Sequence, residues 1–576
     1  MPPRFLFLSL LLIIACSRGP APVADPVTES GPYLTIFLID GLANDLFRAE
    51  LAAGNLPEIA RMMREGTTVR RGIASFPSIS GFAHYPYLTG EVGTASGMFG
   101  LRWFDRSRRE GNFRNYVGRT HHHMDGDISD SIATIFELCP DARGATYNTV
   151  LAKGAPRQTV FGAEFLVSKY ARFNPLVMAL NGIMQVFNIL PKAGRWEDLA
   201  TTHRDIETKV IRRAIRGIDA GERIQFIVFA TPDNINHIEG YRSDEGPNPR
   251  YVSQLRVIDE LIGEYRRHSA AAGTEERRLY LLTSDHGVVT VDRNVSIVAE
   301  LQDRHGLRYD RDTAVRKSSH LARPLSDYVE ERIDVVQALQ GNTMCFLYFR
   351  NPAREGEAAW HAPLTAHQVH DYPVRGGAAR IDLVAEVLGM EGVEFVMHRT
   401  AIPGGIRVAS REGCGEIRAV AGEGYSWRVI RGADPFGYGD TLRDRPLSDD
   451  AWLAATHGHR YPYAVPLVAR LLTAHRDADL VVTTEAGYDH GRDFEFIVGN
   501  YRGGHGGLGA DQLVVPMILC GPGIRQGQAL PYARPEDIGR IVRHLMGTPV
   551  APERLLAAAL SQPATDPPAG QAGATP

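Results

Sequence analysis

The sequence predicts an α/β fold with a mostly parallel central sheet, helices on both faces and an inserted subdomain. Two observations carry this prediction. Apolar runs without polar alternation, typical of strands buried on both faces, alternate with amphipathic helical segments. This rhythm stops in residues 288–477 and returns in residues 478–552, which indicates an insertion into one large domain. The length of 576 residues alone would also permit several domains.

The first part of the predicted core, residues 32–287, contains three apolar strands, and an acidic residue lies at the end of each. The strands and their acids are residues 33–40 with Asp40, residues 224–233 with Asp233, and residues 278–287 with Asp285. Helical spacing of apolar residues predicts helices at 56–66, 131–139, 202–218 and 251–267. Because ligands bind beyond the carboxyl ends of strands in open α/β sheets, we expect the three acids to converge.

The second half of the chain is predicted to leave the sheet and return to it. Residues 288–477 mix short strands with loops rich in Gly and Arg and are interpreted as a cap or subdomain. Residues 478–552 return to the core, with buried strands at 478–488 and 512–524 followed by a helix. Residues 553–576 are rich in Pro, Ala and Gly, a composition typical of a disordered tail.

The N-terminus has the pattern of an export signal. Arg4 precedes an apolar run, residues 5–15, which is too short to span a bilayer comfortably. The run ends in Ile-Ile-Ala-Cys, which resembles a bacterial lipobox and implies that residues 1–16 are a lipoprotein signal peptide with a lipid on Cys16. A plain signal peptide is the alternative. We expect a linker at 17–31 and a location on the periplasmic face of the outer membrane or at the cell surface.

The net charge argues against a nucleic-acid-binding protein, and the cysteine spacing argues against a cysteine zinc site. A net charge of −4 argues against a general nucleic-acid-binding protein, which would carry a basic excess. The cysteines beyond Cys16 form no C-x-x-C pair, which argues against a cysteine zinc site. These cysteines are Cys139, Cys345, Cys414 and Cys520, and the sequence leaves their disulfide state open.

Acids and histidines recur with spacings suited to metal binding. Asp233 and His237 are four residues apart, so on a helical turn they share one face. Asp285 and His286 are adjacent, and His505 lies between glycines that let the backbone approach a site closely. Oxygen and nitrogen ligands together favour zinc, with manganese or iron as alternatives. A further acid–histidine pair at 489–490 is interpreted as a solvated loop.

The segment 76–90 offers a nucleophile. It reads F-P-S-I-S-G-F-A-H-Y-P-Y-L-T-G, a bend with two serines. A serine hydroxyl becomes a strong nucleophile when a metal lowers its pKa. Ser80 is the preferred candidate, and Ser78, two residues earlier on the same turn, is its rival.

The order of the candidate residues along the chain resembles that of the alkaline phosphatase superfamily, in particular its nucleotide pyrophosphatase/type I phosphodiesterase branch. This order is Asp40, Ser80, Asp233, His237, Asp285, His286, His505. The branch's nucleophile segment, F-P-S/T-x-T-F-P-N-H-Y-x-L-x-T-G, aligns with residues 76–90 without a gap. The segment G-M-F-G-L-R-W-F-D-R at 97–106 and the late histidine followed by a strand also match. The resemblance covers about 33–290 and 478–550.

This resemblance implies an alkaline-phosphatase-like three-layer sandwich and a metal-dependent phosphoric ester hydrolase that acts on a small phosphate ester. It implies two divalent metal ions, zinc first. Asp233, His237 and His505 would hold one, and Asp40, Asp285 and His286 the other, together with the Ser80 oxygen. Ser80 would attack phosphorus, and water would hydrolyse the phospho-enzyme.

Two departures from the branch affect the substrate. Ser80 stands where the branch usually has threonine, and serine is chemically competent. Ala83 stands where the branch usually has an asparagine that helps to bind a phosphoryl oxygen. Lys153 and Arg157 are candidates to replace it, with a solvated loop as the alternative. The Ala83 departure counts against a diesterase, but the overall motif match still favours a diesterase or pyrophosphatase over a phosphomonoesterase. A sulfatase, an exported phosphotransferase and a binding protein on an inactive scaffold are less favoured.

Overall fold

The computed structural model describes residues 31–116, 124–159, 197–310, 323–472, 478–490, 502–548 and 558–560. The predicted signal peptide, nearly all of the linker and most of the predicted tail lie outside these residues. Within the described ranges, no helix has both the length and the apolar character needed to cross a bilayer. Cys139, Cys345, Cys414 and Cys520 are free thiols.

The strands and α-helices of the described residues have the following bounds. The strands are β1 (Tyr33–Ile39), β2 (Gly66–Ile73), β3 (Arg102–Phe104), β4 (Phe113–Asn115), β5 (Ala145–Tyr147), β6 (Arg157–Thr159), β7 (Ile224–Phe229), β8 (Arg242–Ser243), β9 (Gly246–Pro247), β10 (Arg278–Thr283), β11 (Val289–Asn294), β12 (Val335–Gln340), β13 (Met344–Phe349), β14 (Tyr372–Pro373), β15 (Arg380–Ile381), β16 (Val393–Arg399), β17 (Gly405–Ala409), β18 (Gly413–Val420), β19 (Gly424–Gly432), β20 (Leu480–Thr484), β21 (Gly487–Asp489), β22 (Gly503–Gly504), β23 (Val514–Cys520) and β24 (Gln528–Leu530). The α-helices are α1 (Asn44–Ala52), α2 (Pro57–Glu65), α3 (Tyr85–Thr89), α4 (Met124–Asp127), α5 (Ile135–Leu138), α6 (Glu197–Asp219), α7 (Thr231–Glu239), α8 (Pro249–Ala271), α9 (Ile297–His305), α10 (Leu325–Glu330), α11 (Ala358–His361), α12 (Ala366–His370), α13 (Leu383–Leu388), α14 (Asp449–Thr456), α15 (Ala464–Leu471), α16 (Ala510–Leu513) and α17 (Pro535–Leu545).

The first sheet is the predicted, mostly parallel one. Its strand order is β24-β2-β23-β10-β1-β7-β5-β6, and only β23 runs antiparallel to its neighbours. Alternate residues of β1 enter different cores: Leu34 and Ile36 face one core, whereas Phe37 and Ile39 pack on the other side, where α2, α6 and α8 lie. Helices α3 and α17 contribute to the first of these cores. The predicted α/β sandwich is therefore confirmed.

A second sheet is built mainly from the region that lost the α/β rhythm. It is antiparallel throughout, with the order β12-β13-β20-β16-β17-β18-β19. Strand β20 was predicted to return to the first sheet, and this prediction is wrong, because β20 pairs with β13 and β16. Its sequence, Leu-Val-Val-Thr-Thr, is buried along its whole length and fits a buried strand of either sheet.

The helix predicted at 131–139 is shorter than expected. Only Ile135–Leu138 is α-helical. Thr134 begins it with a capping box in which the Thr134 and Glu137 side chains each accept a backbone N–H of the other residue. Pro140 then starts a separate 3-10 turn. Local capping, which apolar spacing does not reveal, sets both ends.

Candidate active site

The predicted metal ligands follow neighbouring elements of the first sheet. Asp40 directly follows β1, Asp285 and His286 follow the adjacent β10, and α7, which carries Asp233 and His237, begins just after the other neighbour, β7. The order β10-β1-β7 therefore brings these side chains to one edge of the sheet. His505 follows β22, which pairs with β11, the strand after Asp285 and His286.

Two candidate metal-binding groups form there, and they share Asp233. In the first, Asp233 Oδ2 lies 3.1 Å from His237 Nε2, and Asp233 Oδ1 lies 3.8 Å from His505 Nε2. In the second, donor atoms of Asp40, Asp233 and His286 lie within 4.8 Å of one another. Asp285, the predicted ligand of this second group, has Oδ2 3.5 Å from His286 Nε2. The structure thus brings all six predicted ligands together.

Backbone carbonyls fix the tautomers of the three ligand histidines. The Nδ1 atoms bond to carbonyl oxygens, at 3.0 Å for His237 and Gly503, 3.0 Å for His286 and Gly287, and 2.9 Å for His505 and Ser78. A carbonyl only accepts, so each Nδ1 carries a proton, and in the neutral ring the lone pair lies on Nε2, the atom that faces the acids of the centre. Burial, reinforced by His286, lowers the pKa of His505 to about 3, which keeps this imidazole in the neutral form that binds metals.

The donor set fits divalent cations. Burial, followed by the charges of Asp285 and Asp233, raises the pKa of Asp40 well above its usual value. Burial also opposes ionisation of Asp233 and Asp285, but neighbouring imidazoles outweigh it and lower the pKa of both acids. The buried Asp233 Oδ1 has no hydrogen-bond partner among the described residues. Close carboxylates, an oxygen without a hydrogen-bond partner and neutral imidazoles suit a cation that takes oxygen and nitrogen ligands.

Ser80, and not Ser78, lies against this centre. The Ser80 hydroxyl donates to Asp40 Oδ1 at 3.1 Å, and its Oγ is 3.2 Å from His286 Nε2. Ser78 is fully buried, donates to the Gly507 carbonyl and accepts the Gly506 amide, so it fixes the loop that carries His505. The geometry therefore favours Ser80 as the nucleophile.

Two glycines that the sequence analysis did not single out make room for the ligands. Gly41 has φ +64°, and a Cβ at this position would lie 2.6 Å from Asp233 Oδ1. A Cβ at Gly341, also at positive φ, would lie 2.3 Å from His505 Nδ1. Both positions combine left-handed backbone with close approach, which only glycine permits at low cost.

The predicted substrate-binding cations contact protein groups. Lys153 Nζ bonds to the carbonyl of Ser129 at 3.1 Å and to Asp130 at 2.9 Å. Arg157 pairs with Glu222 at 2.7 Å. Among the described residues, neither has a contact with Ser80 or a predicted metal ligand, and their role in substrate binding stays a prediction.

The acid–histidine pair at 489–490 was interpreted as a solvated loop, and this interpretation is wrong. Asp489 and His490 are buried. Asp489 ends β21, which pairs with β11, and the His490 amide donates to the Asn342 carbonyl at 2.7 Å. Strand β21 has only three residues and no recognisable strand pattern, so the sequence did not predict its pairing with β11. This pairing buries both residues.

Glu207 supports the helix of the first metal group and was missed by the sequence analysis. The N-cap residue of α7, Ala230, offers no side-chain cap. Glu207 Oε1, from α6, instead accepts the Thr231 amide at 2.9 Å and the Thr231 hydroxyl at 2.7 Å. The sequence shows Glu207 only as one acid on an amphipathic helix, and nothing in it indicates that this side chain caps α7.

We expect Glu207→Gln to change how stability depends on pH. Burial raises the pKa of Glu207 to about 7, so this group favours folding below its unfolded pKa, and the benefit is lost as pH rises through 7. Glutamine keeps the accepting oxygen without titrating. Between about pH 5 and about pH 8, the variant should gain up to about 3 kcal/mol in unfolding free energy relative to wild type.

Urea unfolding across that pH range measures the difference, with Glu245→Gln, in an exposed loop, as the matched control. Parallel pH profiles of wild type and Glu207→Gln would contradict the expectation.

A known protein family matches more than half of the chain. The chain matches the sequence model of the family described as type I phosphodiesterase / nucleotide pyrophosphatase over residues 34–428. The match extends well past residue 290, so much of the segment left unmatched by the motifs is covered. No curated protein sequence matches the chain.

Among solved structures, murine ectonucleotide pyrophosphatase / phosphodiesterase 5 is similar, with a TM-score of 0.51 at 13% identity, covering 92% of this chain and 100% of that one. The human protein of the same name gives a TM-score of 0.48 at 12% identity with the same coverage. At these identities the likeness concerns the fold alone, and the murine fold agrees with the sandwich described above.

Proposed function

Because this chain belongs to the type I phosphodiesterase / nucleotide pyrophosphatase family and is a phosphoric ester hydrolase of the alkaline phosphatase superfamily, we propose that it cleaves phosphodiester or pyrophosphate bonds with Ser80 as nucleophile. The carrying observation is the place of the Ser80 hydroxyl, in contact with both Asp40 and His286. Nucleophile and candidate metal ligands thus occupy one site, as an in-line displacement on phosphorus requires.

Two divalent cations complete the proposal. Asp233, His237 and His505 would hold one, and Asp40, Asp285 and His286 the other. Zinc is the first choice, because carboxylate oxygens and neutral imidazoles suit it. When bound, such cations supply Lewis acidity to the phosphoryl group and the nucleophile.

The residues of this chain perform the remaining steps. Asp40 Oδ1 accepts the hydrogen bond of the Ser80 hydroxyl and so orients it. Ser80 Oγ attacks phosphorus and passes its proton to Asp40 Oδ1, the acceptor of its hydrogen bond; a new O–P bond forms, the P–O bond to the leaving group breaks, and the leaving oxygen takes the electron pair and a proton. Water then cleaves the phosphoserine ester, releases the phosphate product and restores the hydroxyl. Carbonyl contacts at Nδ1 hold the three ligand imidazoles in place throughout.

The phosphomonoesterase alternative depends on one departure from the branch and on one cationic pair. Ala83, which stands where the diesterase branch usually has asparagine, is fully buried and apolar, so its side chain binds no phosphoryl oxygen, and this departure weighs against the diesterase. The cationic pair that would suit a monoester, Lys153 and Arg157, is bonded to Asp130 and Glu222. The family supports diester or pyrophosphate substrates as the first choice.

Two measurements test the proposal. Purified protein should hydrolyse bis-p-nitrophenyl phosphate faster than p-nitrophenyl phosphate, lose activity on chelation and regain it with zinc. Elemental analysis should give two equivalents of metal per chain. A strong preference for the monoester would overturn the substrate class. A metal content well below two equivalents, with no recovery on adding zinc, manganese or iron, would favour an inactive scaffold that only binds.

We also propose that the chain is an exported lipoprotein tethered through Cys16. The support is the short apolar run of residues 5–15 ending at the lipobox-like cysteine. In a bacterial host, labelled palmitate should enter the wild-type protein and not Cys16→Ala; equal labelling of both would remove the proposal.

A further inference from the structure

A fourth histidine, His84, contacts the candidate metal centre from within the core. It precedes α3 and follows Ser80 by four residues. His84 is 1% exposed, and its ring packs edge-to-face on Phe226 of β7 at 5.4 Å. Its Nε2 lies 3.2 Å from Asp285 Oδ2. A fully buried histidine thus contacts one of the predicted metal ligands.

The hydrogen bonds of His84 differ from those of the three ligand histidines. His237, His286 and His505 each donate from Nδ1 to a backbone carbonyl, so in the neutral ring the lone pair lies on Nε2, the atom that faces the acids of the centre. In His84, Nδ1 has no partner among the described residues, and Nε2 faces a carboxylate. Because the carboxylate of Asp285 accepts, Nε2 of His84 carries the proton and donates it. His84 is therefore a donor to a ligand and not a ligand itself.

This donor completes the set that holds the Asp285 carboxylate. Asp285 Oδ1 accepts the His286 amide at 3.0 Å and the Gly41 amide at 3.4 Å. Asp285 Oδ2 is held from the core side by His84. With His84 removed, two backbone donors on a single oxygen remain, and the carboxylate can turn about its own axis.

We propose that His84 is a positioning residue that fixes the plane of the Asp285 carboxylate and thereby sets the affinity of the centre for one of its two cations. The inference rests on the proposed function, because it assumes that Asp285 binds metal. Groups that hold metal ligands in this way act through the free energy of metal binding. His84 need not touch the substrate.

Three variants test the role. His84→Leu removes the donor and keeps an apolar side chain in an apolar surrounding. His84→Gln places an amide N–H where Nε2 stands, and His84→Asn is too short to reach Asp285. His398→Leu is the matched control: His398 is 2% exposed, lies on β16 of the second sheet, and bonds through Nδ1 to the Arg399 carbonyl.

The readout is zinc bound at graded free concentrations, set by a chelator and measured on each purified protein. We expect one of the two equivalents to bind about 10- to 100-fold more weakly in His84→Leu and His84→Asn, and within about threefold of wild type in His84→Gln. His398→Leu should bind as wild type does. If the leucine variant does not fold, the glutamine–asparagine comparison decides alone.

The outcomes separate this inference from the proposed function. Wild-type protein that binds no zinc would overturn both. Wild type with two equivalents and a His84→Asn variant of equal affinity would overturn only the positioning role, and so would a His84→Gln variant as weak as His84→Asn. If His398→Leu also binds zinc more weakly than wild type, the change in the His84 variants reflects a general loss of stability, and the positioning role is overturned.

Discussion

Ser80→Ala is expected to lower turnover by several orders of magnitude while leaving the metal content at the wild-type level. The proposed nucleophile is the hydroxyl that contacts Asp40 and His286, and catalysis by such a unit collapses when its nucleophile is removed. The carboxylates and imidazoles that are proposed to hold metal remain. Steady-state kinetics and elemental analysis on the same preparation measure both quantities.

Ser78→Ala is the matched control, since it makes the same change two residues away. The Ser78 hydroxyl bonds to backbone groups of Gly506 and Gly507, so its loss should cost about 1–3 kcal/mol of stability and leave most of the activity. Ser80→Thr should remain active, because threonine also offers a hydroxyl, and its acid-quenched reaction should yield a phosphorylated peptide containing residue 80. Loss of activity in Ser78→Ala together with retention in Ser80→Ala would make Ser78 the nucleophile.

The convergence of the candidate ligands was predictable, because neighbouring strands of a parallel sheet end on the same side. An acid at the end of an apolar run is a local signal, and the shared direction of β10, β1 and β7 converts three such signals into one place. The i, i+4 spacing of Asp233 and His237 is likewise a helical signal, and α7 confirms it. Residues far apart in sequence lie close together because the strands that carry them are neighbours in the sheet and run in the same direction.

The supporting residues were not predictable for the opposite reason. His84 lies in a turn with no period, and its role depends on a carboxylate 201 residues away in sequence. Glu207 looks like any acid on an amphipathic helix, yet it caps a different helix. Lys153 and Arg157 were predicted to bind substrate from their place in the segment, and the sequence did not reveal their acidic partners, Asp130 and Glu222, at 2.9 and 2.7 Å. Side-chain partners across the fold carry no local pattern.

Asp233→Asn is expected to remove metal and activity together, in contrast to Ser80→Ala. Asp233 is the residue shared by both candidate groups, and its unpaired Oδ1 faces His505. Asparagine keeps the volume and one oxygen but loses the charge that offsets a divalent cation. We expect the loss of at least one metal equivalent and a fall in turnover of several orders of magnitude.

Thermal unfolding gives a second, activity-free readout of the same change. A ligand at 100 times its dissociation constant stabilises the folded state by about 2.7 kcal/mol, so a chelator should lower the melting temperature of wild type and have little effect on Asp233→Asn. Asp45→Asn makes the same substitution at a half-exposed acid that pairs with Arg242, and it should keep the wild-type metal content and the wild-type response to chelator. An Asp233→Asn variant that retains two equivalents and melts at a chelator-sensitive temperature would mean that the Asp233 carboxylate does not hold the metal and that other residues do.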